Sequence, residues 1–307
     1  MLQADLSLEP ATMPAVLDLA DVRRWIDGLR AEQAPGDSFE LDRIRATGAN
    51  AHTLGGGWLV LPRTEPIEVL HVVAHGGTEL PEQFADTYAP QDPRLLAQSM
   101  LDNADLGTAA MATRLALQPH GRAVAFFGCT RLLVDANRAL TEQQVPRTTY
   151  RGVPLLRDDL SAERRAEVAA TLLQPWLAGI EQCLADHRQT VTRIVHHHSF
   201  DEFPGSATPH DRSRARRPAA MLFQDRQNNG GGTFLPQGEL QRLVAALRTP
   251  LRRLDATAEV EVDSSYVAPM MPIVPHTVPV CVYELRKDLL RDRAARETLF
   301  TALLDIL

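Results

Sequence analysis

Three apolar, β-branched runs in the 307-residue chain each lead straight into a side chain that can bind a metal or take a proton. Residues 67–74 (IEVLHVVA) lead to His75, residues 192–198 (TRIVHHH) close on His198, and residues 278–283 (VPVCVY) lead to Glu284. Imidazole is the commonest neutral metal ligand, and a catalytic zinc takes three protein ligands plus an open position. His75 and His198 together are therefore candidate metal ligands. The third is expected to be a carboxylate, and Asp105, at a helix start, and Glu79, four residues beyond His75, are both available. Each also has an ordinary role open to it, Asp105 as a helix cap and Glu79 as a solvated surface acid. Side chains alternate along a strand, so His196 shares a face with His198 and His197 points the other way. These two are expected to pack beside the site. Glu284 needs a proton, a cation or an activated water once it is buried. It could act as a general base or simply pair with Arg286 or Lys287.

A fourth segment, residues 129–138 (CTRLLVDANR), sets an apolar triplet among charges. Guanidinium forks bind carboxylates bidentately, so Arg131, Asn137 and Arg138 could hold an acidic substrate. An ion pair between Asp135 and Arg131 or Arg138 fits the same spacing. The glycine-rich stretch 228–233 (NNGGGT) lacks the endings of a phosphate or dinucleotide loop and reads as a surface loop. Arg212, Arg214, Arg216 and Arg217 form a short basic cluster without interleaved aromatics. A solvated loop is its expected role, with capture of an anionic substrate the weaker option.

The elements that must position these residues follow from periodicity. Helices are expected near residues 16–33, 105–117, 161–186 (with Pro175 kinking or dividing it), 239–247 and 291–306. Strands are expected at 58–61, 67–74, 123–127, 191–195, 258–262 and 278–283. Strands separated by helices imply one three-layer αβα domain with a mixed, mostly parallel central sheet, spanning 1–307 with residues 1–14 frayed. In such sheets ligands gather at the carboxyl ends of the strands.

Composition narrows the classes. Hydrophobic residues are 44% and charged residues 23%, which suits a globular chain. Thirty-two basic against thirty-nine acidic side chains leave a net charge of −7, which disfavours nucleic acid and acidic membranes as partners. Three cysteines without a CxxC exclude a disulfide framework and suit a reducing compartment. No secretory signal opens the chain, and the uncharged run 264–283 carries Pro269, Pro272, Pro275 and Pro279, too many for a membrane helix. A cytoplasmic location is expected, and oligomeric state is left open.

The motifs His75-Gly76-Gly77-Thr78-Glu79-Leu80-Pro81, Arg131 to Arg138, His198-Ser199-Phe200 and Glu284 to Leu289 stand in the order seen in N-formylglutamate amidohydrolase-like proteins. Residues 150–155 (YRGVPL) add a further matching piece, and the resemblance runs from about Val60 to the C-terminus. It implies a fold similar to zinc-dependent exopeptidases of the carboxypeptidase type (phosphorylase/hydrolase-like) and a zinc-dependent amide hydrolase. On that resemblance His75, Asp105 and His198 match metal ligands, with Glu79 ranked below Asp105. Arg131, Asn137 and Arg138 match a segment that holds a substrate carboxylate, and Glu284 matches the general base. The expected substrate is an N-acyl amino acid or a related small carboxylate-bearing molecule. The chain also departs from the pattern. Leu177 follows Pro175-Trp176 where relatives often carry histidine, His75-Gly76-Gly77 stands where they often read His-Ser-Gly or His-Ala-Gly, and the region around Met270-Met271-Pro272 lacks a glycine-rich run. These departures keep two other readings in play: a metal-free binding or regulatory protein, and a metal-dependent acyl-transfer or cyclisation enzyme of a biosynthetic pathway.

Overall fold

A computed structural model of the chain describes residues 17–63, 66–89, 91–118, 121–137, 149–150, 153–157, 160–203, 215–223, 235–263 and 278–304. In chain order the helices are α1 (Leu19–Gln33), α2 (Leu41–Ala46), α3 (Pro93–Asn103), α4 (Thr108–Ala116), α5 (Ala162–Val168), α6 (Gln174–Asp186), α7 (Gln237–Leu254), α8 (Lys287–Arg291) and α9 (Arg293–Leu304). The strands are β1 (Asn50–Leu54), β2 (Gly57–Leu61), β3 (Val69–Val73), β4 (Arg122–Phe127), β5 (Thr149–Tyr150), β6 (Val153–Pro154), β7 (Arg193–Phe200), β8 (Ala220–Phe223), β9 (Val260–Asp263) and β10 (Val280–Arg286).

Eight strands form one sheet in the order β1-β2-β4-β3-β7-β10-β8-β9, and β5 and β6 form a separate ribbon. The central β4, β3, β7 and β10 run parallel, while β1, β2 and β8 introduce the antiparallel pairings. This is the mixed, mostly parallel sheet that the alternation of elements implied. Parallel central strands are covered on both faces, which is why 67–74 reads as a near-continuous apolar run. One face packs against α1, α3, α5 and α6 through residues such as Val22, Leu96, Trp176, Leu70 and Ala125. The other packs against α4, α7 and α9 through Met111, Leu247, Phe300, Val124 and Val195.

The helix ends explain where site residues come free. Asp18 caps α1, accepting from the Ala20 N–H at 2.8 Å, and Asp92 caps α3 with Pro93 in its first turn. Gly107, at φ +88°, turns the chain into α4. The exposed amides of that turn go to a distant residue: the Asp37 carboxylate accepts from Gly107 N–H at 2.7 Å and from Ala110 N–H at 3.0 Å. Asp105 is thereby relieved of the capping role its position suggested.

The segment predicted over 161–186 is divided earlier than Pro175, by a π-helical turn at Ala169–Leu173, and Pro175 stands in the first turn of α6. Leu177, the departure at the Pro-Trp pair, is 6% exposed and lies in the core. Helix α3 and strand β8 were absent from the sequence reading. Residues 1–16, including the expected frayed segment, and residues 264–277, with most of the proline-rich run, lie outside the described residues.

Two glycines, Gly76 and Gly77, follow His75 directly. In the fold they let one loop approach another. A Cβ on Gly77 would lie 1.9 Å from the Gly128 carbonyl oxygen, and one on Gly76 would lie 2.7 Å from the Phe126 ring. The loop after β3 thus lies flat against the loop after β4, held by the Glu79 N–H donating to Gly128 O at 2.9 Å. Gly77→Ala is expected to force these loops apart and cost about 3 kcal/mol, the upper range for overpacking. Guanidinium-chloride unfolding is the measurement; an unchanged midpoint would show that the loops can separate freely.

Candidate metal centre

Strand register sets the site. Val72 of β3 pairs with His196 of β7, so the chain two residues beyond the end of β3 brings His75 alongside His198. The two rings sit with centroids 5.3 Å apart. On the other side His198 pairs in parallel register with Glu284 of β10. Since β4 and β7 flank β3 on opposite sides, the chain switches direction at this point, which is where open α/β sheets place their ligands. Asp105 enters from the turn between α3 and α4, pinned by its N–H donating to the His75 carbonyl at 2.9 Å.

His75, Asp105 and His198 are all buried, and each offers a ligand atom within 4.8 Å of the others. The His198 Nδ1 lies 2.9 Å from Asp105 Oδ2, and the His75 Nδ1 lies 3.5 Å from the same oxygen. The other edge of His75 is fixed: its Nε2–H donates to Asp135 Oδ1 at 2.6 Å. Asp135 is itself held by the Asn137 N–H at 2.9 Å and by Arg131, whose Nη2 reaches Oδ2 at 2.9 Å. A carboxylate behind a ligating imidazole fixes its tautomer and ring orientation. Two imidazoles and a carboxylate, with a second carboxylate behind one imidazole, suit a divalent cation such as zinc.

The electrostatics agree. Burial and the Arg131 charge push His75 toward neutrality, but Asp135 and Asp105 outweigh them and raise its pKa. Burial pushes Asp105 up, yet its hydrogen bonds with His198 and His75 hold the carboxyl well below the usual range. Asp135 behaves the same way, with His75, Arg131 and the Asn137 N–H overcoming its burial. The pocket therefore favours a positive charge between these acids. Glu284 differs: burial, with the Asp105 charge adding to it, raises its pKa against the opposing pull of His198, Arg217 and His75.

A polar cleft of about 330 Å³ opens over this centre. His75, Asp105, His198, Glu284, Arg131 and Asn137 all face it. Arg138 lies outside the described residues. Glu79 is not brought to the centre; it is exposed and lines a separate cleft with Arg23 and Arg30. The three histidines lie on one strand with the expected alternation, and β7 continues two residues further, to Phe200. His196 stacks with His198 on one face at 6.4 Å. On the other face His197 bridges His71, at 2.9 Å, and the Tyr283 hydroxyl, at 2.5 Å. Burial and the neighbouring histidine charges hold His197 well below its usual pKa. Burial with the Arg122 and Arg193 charges lowers His71 to about 3. Both are neutral structural residues. Asp135 was weighed only as an ion-pair partner, since its contact with His75 spans sixty positions. Arg217, from the basic cluster for which capture of an anionic substrate was the weaker option, also lines the cleft, as does Lys287.

The chain thus combines a three-layer α/β fold with a candidate His-Asp-His centre at the carboxyl ends of its parallel strands. The family profile for N-formylglutamate amidohydrolase matches residues 67–270, and the chain belongs to that family. Membership places it among the amidohydrolases. Two solved structures are similar in fold. An N-formylglutamate amidohydrolase from Ralstonia eutropha JMP134 is 17% identical with a TM-score of 0.57, the alignment covering 82% of this chain and 97% of that one. A gene product of Agrobacterium tumefaciens is 17% identical with a TM-score of 0.53, covering 78% and 91% respectively. No match was found among curated protein sequences. Among the described residues, no helix is long and apolar enough to cross a membrane.

Proposed function

We propose that the protein is a metal-dependent amidohydrolase that cleaves the amide of an N-acyl, N-formyl-like amino acid or a related small carboxylate-bearing molecule. The observation that carries this is the meeting of His75, Asp105 and His198 with Glu284 in register beside His198. These three ligands would hold a divalent ion, zinc being the best fit. Such an ion supplies Lewis-acid polarisation of the scissile carbonyl and lowers the pKa of water. Glu284 faces the same cleft with its carboxylate free of any hydrogen bond or ion pair among the described residues, so it can take a proton from the attacking water and return it to the leaving nitrogen. Asp135 keeps the His75 ring turned toward the centre. Arg131 holds Asp135 through one nitrogen, and its remaining donors, with Asn137 and Arg138, would orient the substrate carboxylate.

Release of free amine from N-formyl-L-glutamate and other N-formyl amino acids tests the reading. Turnover should vanish with a chelator and return with zinc; no amine release from any of them, with metal supplied, would reject it. Asp135→Asn is expected to weaken metal affinity about 10- to 100-fold, the range for groups that orient a ligating histidine. Competition against a chromogenic chelator measures this. Equal affinity in variant and wild type would show that His75 needs no such support.

A further inference from the structure

Among the described residues, three cations face the cleft over the centre: Arg131, Lys287 and Arg217. Two are already engaged. Arg131 is bonded to the buried Asp135, and Lys287 Nζ lies 3.1 Å from Asp201 Oδ1 and donates to the Asp102 carbonyl at 2.9 Å. The Arg217 guanidinium has no carboxylate or hydrogen-bond partner among the described residues. It lies over the Phe200 ring, with its central carbon 5.3 Å from the ring centroid. Phe200 is two residues beyond His198 on β7, so this cation stands over the metal-ligand strand. Its backbone is fixed on both sides: the Arg217 N–H donates to the Glu202 carbonyl at 2.9 Å, and its own carbonyl accepts from Arg286 Nη1 at 3.0 Å. The neighbouring Arg216 is different, being tied to Glu202, Asp255 and Asp288 on the surface.

We infer that Arg217 is a specificity-determining residue that receives an anionic group of the substrate. The physical reason is that an anion meeting Arg131 or Lys287 must share a charge already paired, whereas one meeting Arg217 gains a full charge-assisted hydrogen bond. The phenyl face beneath leaves the fork planar and oriented, and removes water from one side of it. Arg217 comes from the segment leading into β8, on the Glu284 side of the cleft. Arg131 comes from the segment after β4, on the His75 side. The substrate is thus gripped from both flanks of the centre.

The inference rests on the proposed amidohydrolase reading for its kinetic arm but not for its binding arm. With the metal-loaded full chain, N-formyl-L-glutamate and its two monoamides are compared as substrates, since each monoamide removes one charge at nearly constant shape. Arg217→Gln is expected to reduce the preference for the diacid over one monoamide by about tenfold or more, the loss of one charge-assisted hydrogen bond, with Arg217→Lys retaining part of it. Glutarate binding, followed by calorimetry, should weaken by a similar factor in Arg217→Gln. Unaltered preference together with unaltered glutarate binding, or equal losses on all three substrates, would overturn the role given to Arg217. A wild-type protein that binds glutarate through Arg217 but, with metal supplied, releases no amine from these three compounds or from other N-formyl amino acids would overturn the amidohydrolase reading alone. Hydrolysis that is indifferent to Arg217 would do the reverse.

Discussion

Alanine in place of His198 is expected to yield a folded protein that retains no stoichiometric divalent ion and turns over no N-acyl amino acid above background. His198 contributes on two fronts. It supplies one of the three ligand side chains that the described residues bring together at the centre, and its Nδ1 lies against Asp105 at 2.9 Å. Without it Asp105 keeps only the His75 contact at 3.5 Å, and two ligands cannot complete the three-ligand set of a catalytic zinc site. Elemental analysis of dialysed protein, beside an amine-release assay, reads both consequences. His196→Ala gives the contrast. It removes an equally buried imidazole from the same face of β7, 6.4 Å away, and is expected to keep its ion because His196 does not converge with His75 and Asp105. Full metal content and full activity in His198→Ala would end the catalytic proposal. Loss of metal in both variants would show that strand integrity, rather than ligation, had been disturbed.

The contrast also shows what the chain makes legible. The central strands could be read because burial on both faces demands a largely apolar run, near-continuous in residues 67–74 and continuous in 123–127. The end of β7 could not. Polar residues ordinarily mark where a strand leaves the core, yet His196, His197 and His198 are all inside it. His197 is satisfied sideways by His71 and Tyr283 on one face, and His198 by Asp105 on the other, and no local pattern announces such remote partners. The same reasoning applies to Asp135 and Asp37. Each is a buried carboxylate whose decisive contact lies sixty to seventy positions away, with His75 and with the first turn of α4. Asp105 looked like a cap only because its real competitor for that task was remote. Order and spacing along the chain pointed to the ligand types. The fold was needed to show which acids face the centre and which, like Glu79, face elsewhere.

Glu284→Gln carries the second large expectation: turnover falls by about 10²- to 10⁴-fold, the usual contribution of a positioned general base, while metal content is retained. Glutamine keeps the side chain's size and leaves a polar tip beside His198, so the register with β7 and the shape of the cleft are preserved. What it lacks is a lone pair basic enough to take a proton. The alternative role, an ion pair at a strand end, predicts a different outcome. Arg286 is bonded to Asp288 at 2.7 Å and to Asp255 at 2.8 Å, and Lys287 reaches Asp201 at 3.1 Å, so neither depends on Glu284. Removing its charge should therefore leave the unfolding midpoint nearly unchanged, or raise it slightly, because a buried carboxylate is costly to keep ionised. Glu284→Asp sharpens the test. It keeps the base but draws it back by one methylene, and an intermediate rate is expected because a general base must lie within hydrogen-bond reach of the proton it abstracts. A Gln variant as active as wild type would remove Glu284 from the chemistry, and a large drop in stability without a drop in rate would return it to a structural role.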